Sequence, residues 1–339
     1  MHRKTHIPTL SVIVTFHNES AYLEQCLTSI LGQSLSDIEV ICVDDSSTDS
    51  TPKLLRKFER ADSRVAVLNS SMKSLPASRN IGLREATGEY VAFVDGDDFL
   101  DPGYYEALHD AARDAWPGGA DGARSGYTSL WPDRQQDDRF CEIIERRATE
   151  GCLLNSWDNS NVVWNAIYRR SSLLGAGCYY FREDPKTTED LFWTLRAMHR
   201  LRIMVPVAGV RYWYRMDKPN RLSSVTVPNA LNLLKANKQA LDYIQGAIWG
   251  NVDEYYHQFE RILWRYTLWE ERLRGLVGDN HPALARTHRD MRDAYAACRH
   301  PQIAEHIHRN DWWPKYDAIL GSGGGAAAQR PAAGLKSVP

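Results

Sequence analysis

A chain of 339 residues is long enough for a full core and, at about 150 residues per domain, for roughly two domains. Its 41 Lys plus Arg against 43 Asp plus Glu leave it near neutral, which removes any general electrostatic case for nucleic acid or an anionic membrane surface as partner. The six cysteines (Cys26, Cys42, Cys141, Cys152, Cys178, Cys298) are scattered, so neither a disulfide framework nor a zinc site is expected, and they read as reduced thiols.

The amino terminus runs directly into a strand with no signal-peptide pattern. No apolar run approaches the roughly 18 residues of a spanning helix, so the expectation is a cytoplasmic protein without a transmembrane segment. Leu10 to Phe16 is a β-branched run of buried parallel-strand type, closed by His17 and Asn18. Asn18 is expected to cap a helix from Glu19 to Gln33, where Tyr22, Leu23, Cys26, Leu27, Ile30 and Leu31 recur at three and four. A second strand, Ile38 to Val43, runs into Asp44 and Asp45, and Thr51-Pro52 opens the next helix. The third strand is Val65 to Leu68. Pro76 starts a helix that carries Arg79 and Asn80 and is expected to stop at Thr87-Gly88.

The fourth strand, from Glu89, ends abruptly in Asp95-Gly96-Asp97-Asp98. Side chains two apart share a face, so Asp95 and Asp97 can point the same way, while Gly96, without a Cβ, is expected to let a ligand approach the backbone. Hard carboxylate oxygens suit Mg²⁺ or Mn²⁺ arriving with a diphosphate. The competing reading is a solvated acidic turn. Strands alternating with helices predict an α/β fold, a Rossmann-like, mostly parallel sheet covered on both faces. Ligands in such sheets sit beyond the carboxyl ends of the strands, so His17, Asp45 and Asp95 to Asp98 are expected to share one crevice. The absence of G-x-G-x-x-G after the first strand and of G-x-x-x-x-G-K-[ST] anywhere argues against a dinucleotide-binding dehydrogenase and a P-loop enzyme.

Farther on, Ala115 to Asp138 is rich in glycine, proline and charge and reads as an insertion or edge loop. Thr187-x-x-Asp190 precedes an apolar helix from Leu191 to Met198 and fits a capping box as well as it fits a functional pair of acids, Glu189 and Asp190. From Asn229 to Leu320, apolar and aromatic residues at three and four predict long helices broken at Gly250 and near Gly278 to Pro282. The wide stripe from Tyr255 to Leu276 is expected to pack on the preceding domain, with a homodimer through these helices next and peripheral membrane contact third. His300, His306 and His308 lack the companions of a metal site. After Leu320, a Gly/Ala/Pro-rich tail is expected to be disordered.

Six segments, Leu10 to Asn18, Ser29 to Gln33, Val43 to Asp49, Ala77 to Gly82, Gly88 to Asp98 and Thr188 to Leu191, resemble in order and spacing the family 2 glycosyltransferases, over roughly residues 8 to 227. That resemblance implies a GT-A fold for residues 1–227, and the residue patterns give a helical carboxyl-terminal region over 228–320 and a tail over 321–339. It also implies a nucleotide-sugar donor, a divalent metal and transfer with inversion. By the same resemblance, Asp45 accepts the uracil N3–H, Thr15, His17 and Asn18 line the base pocket, and Arg79 faces the base or diphosphate. Asp95, with Gly96 beside it, serves ribose and metal, and Asp97 serves the metal.

Asp190 is then the base, with Glu189 second. Asp98, Trp164 and Asn165 are candidates for the acceptor side, and Arg215 and Arg221 for a loop over the donor phosphates. For Trp164 an apolar wall is an equal reading. The expected donor is a UDP-sugar and the acceptor a glycan, lipid-linked sugar or secondary metabolite, with contact at the inner membrane face an added expectation. Neither spanning helices nor Q-x-x-R-W supports a processive synthase. The alternatives are a nucleotidyltransferase of related fold, which normally carries a glycine-rich first loop, and a non-catalytic sugar-nucleotide-binding scaffold.

Overall fold

The apolar runs of the amino-terminal half become the parallel part of one sheet. The computed structural model describes residues 6–115, 117–154, 162–183, 189–217, 226–246 and 252–297. In chain order the first elements are β1 (Leu10–Phe16), α1 (Leu23–Leu31), β2 (Ile38–Asp45), α2 (Thr51–Ala61), β3 (Val65–Ser70), α3 (Leu75–Glu85) and β4 (Tyr90–Asp95). β1 and β2 are buried along their whole length and pair in parallel, and β4 joins β1 on its other side. Both faces being covered explains why these strands are continuously apolar and not alternating. The register places Thr15 beside Val43 and beside Asp95, so β1, β2 and β4 end at one edge.

Two helix boundaries differ from expectation. α1 begins at Leu23, not Glu19, and Asn18 does not cap it. Asn18 sits at φ 59, and its Oδ1 accepts from the Thr48 and Asp49 amides, so the side chain staples the loop after β1 to the loop after β2. α3 stops at Glu85 instead of running to Thr87-Gly88. Gly88 is needed for closeness to β1: a Cβ there would lie 2.6 Å from the Ser11 amide nitrogen, and the Gly88 amide donates to Ser11 Oγ.

The second half of the sheet is mixed. It comprises β5 (Phe99–Leu100), β6 (Gly122–Leu130), β7 (Gln135–Asp137), β8 (Ala166–Arg169) and β9 (Met204–Arg215), with α4 (Tyr104–Asp114), α5 (Arg139–Glu150), α6 (Arg170–Gly175) and α7 (Glu189–Arg200) around it. The order across the sheet is β3-β2-β1-β4-β8-β6-β9-β5, with β7 paired to β6. β8 runs antiparallel to β4, while β6 and β9 are parallel to each other. The stretch expected to be a loop, 115–138, therefore contains two strands. β6 (GARSGYTSL) carries small and polar residues because helices crowd it: a Cβ on Gly126 would meet Cys141 Sγ of α5 at 2.5 Å. Polar side chains on β6 are also paired inside, Ser125 Oγ donating to the Tyr104 hydroxyl and Asn165 Nδ2 to the Ser125 carbonyl.

The chain divides into two compact units, residues 1–224 and 225–339. Within the second, three helices are described: α8 (Val227–Gly246), α9 (Val252–Val277) and α10 (Pro282–Ala297). The expected break near Gly278 to Pro282 is present, with Gly278 at φ 78 and proline opening α10. Ile262, Tyr266, Trp269 and Leu273 of α9 are buried. No described helix is long and apolar enough to cross a membrane. The expectations for Gly250, for His300, His306 and His308, and for the tail lie outside the described residues. So do the side chains of Tyr255, Phe259 and Leu263. The five described cysteines are free.

Candidate active site

The strand edge where β1, β2 and β4 end gathers most of the sequence-predicted residues. His17 Nδ1 donates to the Asp45 carbonyl at 2.7 Å, tying the ends of β1 and β2 together. The Asp45 carboxylate is buried, with Oδ1 accepting from the Lys73 amide at 2.9 Å and Oδ2 from the Ser74 amide at 2.7 Å. Both oxygens thus hold the chain entering α3, and each retains a second lone pair for a ligand donor. Thr15 is buried next to Asp95 in the register.

Arg79, for which the resemblance implies a place at the base or diphosphate, lies against two acids. It is 1% exposed, and its guanidinium joins two carboxylates: Nη2 donates to Asp95 Oδ1 at 2.8 Å, and Nη1 donates to Asp190 Oδ1. Asp95 and Asp190 remain 25% and 18% exposed, so both acids open on solvent while the cation between them does not. Residues 95 and 190 are brought together by this one side chain, which reaches from α3 to the tip of β4 and the first turn of α7.

The tip of β4 is braced from below. The Asp95 amide donates to the Tyr212 hydroxyl at 3.1 Å, and that hydroxyl donates to Asp98 Oδ2 at 2.7 Å. Asp98 Oδ1 accepts from the Arg215 amide, and Arg215 Nε donates to the Asp97 carbonyl, both at 2.8 Å. Burial, then the charges of Asp97 and Asp95, push the Asp98 carboxyl well above its ordinary range. Sequence reasoning missed Tyr212; the signal available was the third acid of Asp95-Gly96-Asp97-Asp98, which has to find donors if it turns inward.

Several candidates take structural partners at these positions. Asp98 is buried under the tip. Asn165 is fully buried, its Oδ1 accepting from Arg124 Nη1 at 3.1 Å. Trp164 takes the wall reading: it is buried and stacked on Tyr212 with ring centroids 4.2 Å apart. Gly96 has a packing reason to be glycine, since a Cβ would sit 2.3 Å from Phe16 Cδ1 and 2.8 Å from the Thr15 carbonyl. Arg215 is engaged at the Asp97 carbonyl, at Gln25 Oε1 (2.6 Å) and over the Tyr22 ring (4.7 Å), which ties it to the tip instead of leaving it for donor phosphates. Asn18 holds the two loops as described. Glu189 opens α7, but its side chain lies outside the described residues, as do Thr187, Arg221 and Ser223-Ser224.

Asp95 and Asp97 are half-buried carboxylates at the end of β4, and among the described residues no group of three or more His, Cys, Asp or Glu could hold a metal ion. A two-carboxylate donor set of this kind fits a divalent cation that takes its remaining ligands from a diphosphate and water, and does not fit an all-protein cage.

Residues 11–175 match the family model described as Glycosyl transferase family 2. The chain is similar to the putative glycosyltransferase EpsH of Bacillus subtilis (strain 168), 28% identical over 62% of this chain, and spans 61% of that relative's length. Among solved structures it resembles S. aureus TarS 1-349 in complex with UDP-GlcNAc, with TM-score 0.65 and 19% identity over 86% of this chain and 81% of that one. The mannosyltransferase PcManGT from Pyrobaculum calidifontis, in complex with GDP-Man and Mn²⁺, is similar at TM-score 0.55 and 19% identity over 94% of this chain and 85% of that one. At such identity the two structures speak for the fold.

Proposed function

We propose, for a chain whose residues 11–175 belong to glycosyl transferase family 2 on a GT-A fold, that it is a metal-dependent, inverting glycosyltransferase with a nucleotide-sugar donor. A UDP-sugar is the first choice, because the spare lone pairs of Asp45 suit the uracil N3–H and because TarS structures with UDP and UDP-GlcNAc are similar to this one. The acceptor class is a hydroxyl of a glycan, lipid-linked sugar or secondary metabolite. The observation that carries the reading is the Arg79 bridge, which sets a candidate base from α7 beside the acid at the tip of β4.

In an inverting transfer the acceptor hydroxyl attacks the anomeric carbon from the face opposite the leaving diphosphate, and a base takes its proton. Asp190 is the candidate to take the proton: Oδ1 accepts from Arg79 Nη1, and the side chain keeps 18% of its surface exposed. Asp95 and Asp97 would hold Mn²⁺ or Mg²⁺, which when bound supplies positive charge for the departing diphosphate. Arg79 keeps Asp95 and Asp190 from repelling each other across the site. Thr15, His17 and Asp45, at the ends of β1 and β2, would line the nucleobase.

The test is a panel of nucleotide sugars with Mn²⁺, reading slow donor hydrolysis. UDP-sugar turnover is expected, and Asp190→Asn is expected to lower the rate by about 10²- to 10⁴-fold while UDP still binds. No turnover or binding with any donor would leave a scaffold, released sugar 1-phosphate would indicate attack at the α-phosphate and so nucleotidyl transfer, and an Asp190→Asn rate equal to the parental one would move the base to Glu189.

A further inference from the structure

Asn80 follows Arg79 on α3 and is buried. Its amide pairs with a single backbone residue in both directions: Nδ2 donates to the Phe181 carbonyl at 3.0 Å, and Oδ1 accepts from the Phe181 amide at 2.8 Å. Nδ2 also reaches Glu183 Oε1 at 3.1 Å. The Phe181 ring is wedged among three partners. It stacks on Trp193 with centroids 5.0 Å apart, meets Phe93 of β4 edge-on at 5.2 Å, and lies under the Arg79 guanidinium at 5.5 Å. Trp193 stands three residues beyond Asp190 on α7, so the two occupy neighbouring positions on one helix surface. A second tie runs alongside, with the Tyr179 hydroxyl donating to the Leu83 carbonyl of α3 and Trp193 Nε1 donating to the Tyr179 carbonyl.

We propose that Asn80 is a positioning residue for the base: by fixing the backbone at Phe181 it sets the seat of Trp193, hence of α7, and thereby the place of Asp190 in the crevice. This rests on the glycosyltransferase reading above. A carboxamide is the side chain that can donate and accept at one backbone residue together. An aspartate in its place would turn an oxygen on the Phe181 carbonyl and on Glu183, and an alanine would leave two buried backbone groups unpaired. Asn80 makes no contact with Asp45, Asp95 or Asp97 among its described bonds, so its loss should act on the transfer step and not on donor affinity.

The experiment compares Asn80→Ala with the full-length parent in Mn²⁺, using the UDP-sugar that the parent hydrolyses fastest. kcat is expected to fall on the order of 10²-fold, as for a displaced catalytic group, with the donor KM and UDP affinity within about twofold. In an Asp190→Asn background, adding Asn80→Ala is expected to change the residual rate by less than about twofold, because both act through one group. Should Asn80→Ala not bind UDP, Asn80→Asp, which keeps the acceptor for the Phe181 amide, takes its place in the same comparison. A parental kcat in the variant, a donor KM that rises as much as kcat falls, or effects that multiply in the Asp190→Asn background would each overturn the proposal. A parent that turns over no nucleotide sugar overturns the glycosyltransferase reading and this proposal with it, whereas an active parent with an indifferent Asn80→Ala overturns this proposal alone.

Discussion

Arg79 has to satisfy two carboxylates on different elements from a buried position, and that requirement explains why the residue is arginine. A guanidinium presents separate N–H groups in a fixed fork, so Nη2 and Nη1 can each hold one acid; an ammonium is a single point and can approach only one closely. In the proposed reaction Asp95 would hold the cation and Asp190 would take the proton, so this fork would couple the two halves of that chemistry. Removing it leaves two acids with no cation between them in a partly dry site. Arg79→Ala is expected to destabilise the protein by about 3–5 kcal/mol, the usual cost of stripping one partner from a buried pair. Arg79→Lys is expected to fold and bind UDP yet lose about tenfold or more in donor hydrolysis, since one of the two acids loses its contact with the guanidinium. Thermal unfolding and hydrolysis on the same samples check both, and a lysine variant with the parental rate would show that the fork geometry does not matter.

At the scale of elements, the crevice is built by the ends of β1, β2 and β4 and by α3, which packs on β1 and β2 and reaches the tip of β4 through Arg79. Its entry is held by Asp45, its middle residues reach Asp95 and Asp190, and Asn80 and Leu83 grip the segment before α7. The tip of β4 is seated on β1 through Gly96, whose amide donates to the Thr15 carbonyl at 3.0 Å. Gly96→Ala would force a methyl against Phe16 and Thr15, so it is expected to cost about 1–3 kcal/mol and to weaken Mn²⁺-dependent UDP binding by moving Asp95 and Asp97. Calorimetric UDP titration with and without Mn²⁺ reads this, and an alanine variant with parental stability and binding would mean the tip can yield there freely. β1, β2 and β4 were legible in the sequence because burial on both faces writes itself as continuous apolar runs, whereas β3 lies at the end of the sheet and shows only as a short β-branched run. β6 was not, since GARSGYTSL satisfies crowding and internal hydrogen bonds with small and polar residues that resemble a loop. The acids at the strand ends were readable for the same topological reason, whereas the inward turn of Asp98 and the role of Tyr212 depend on a strand over a hundred residues later, which no local pattern encodes.

For the whole molecule, the question is which residues suffice for the nucleotide site. The hydrophobic cluster that supports the sheet runs from Leu10 to Tyr212, entirely within the first compact unit, and every bond described above around Asp45, Arg79, Asp95 and Asp98 is made by residues of that unit. A unit with its own core can in principle fold alone. α8, α9 and α10 bury their own apolar residues, among them Leu233, Leu234, Leu241 and Ile262. We therefore expect a chain ended after Ser224 to unfold cooperatively and to bind UDP with Mn²⁺ within about threefold of the full chain, an effect smaller than 1 kcal/mol. Donor hydrolysis by water should survive in it as well, since Asp190 is included, while transfer to the physiological acceptor is free to depend on the helices. An aggregated truncation, or one that folds but has lost UDP, would show instead that residues 225–339 complete the catalytic unit, and the helical region would have to be counted as part of the enzyme proper.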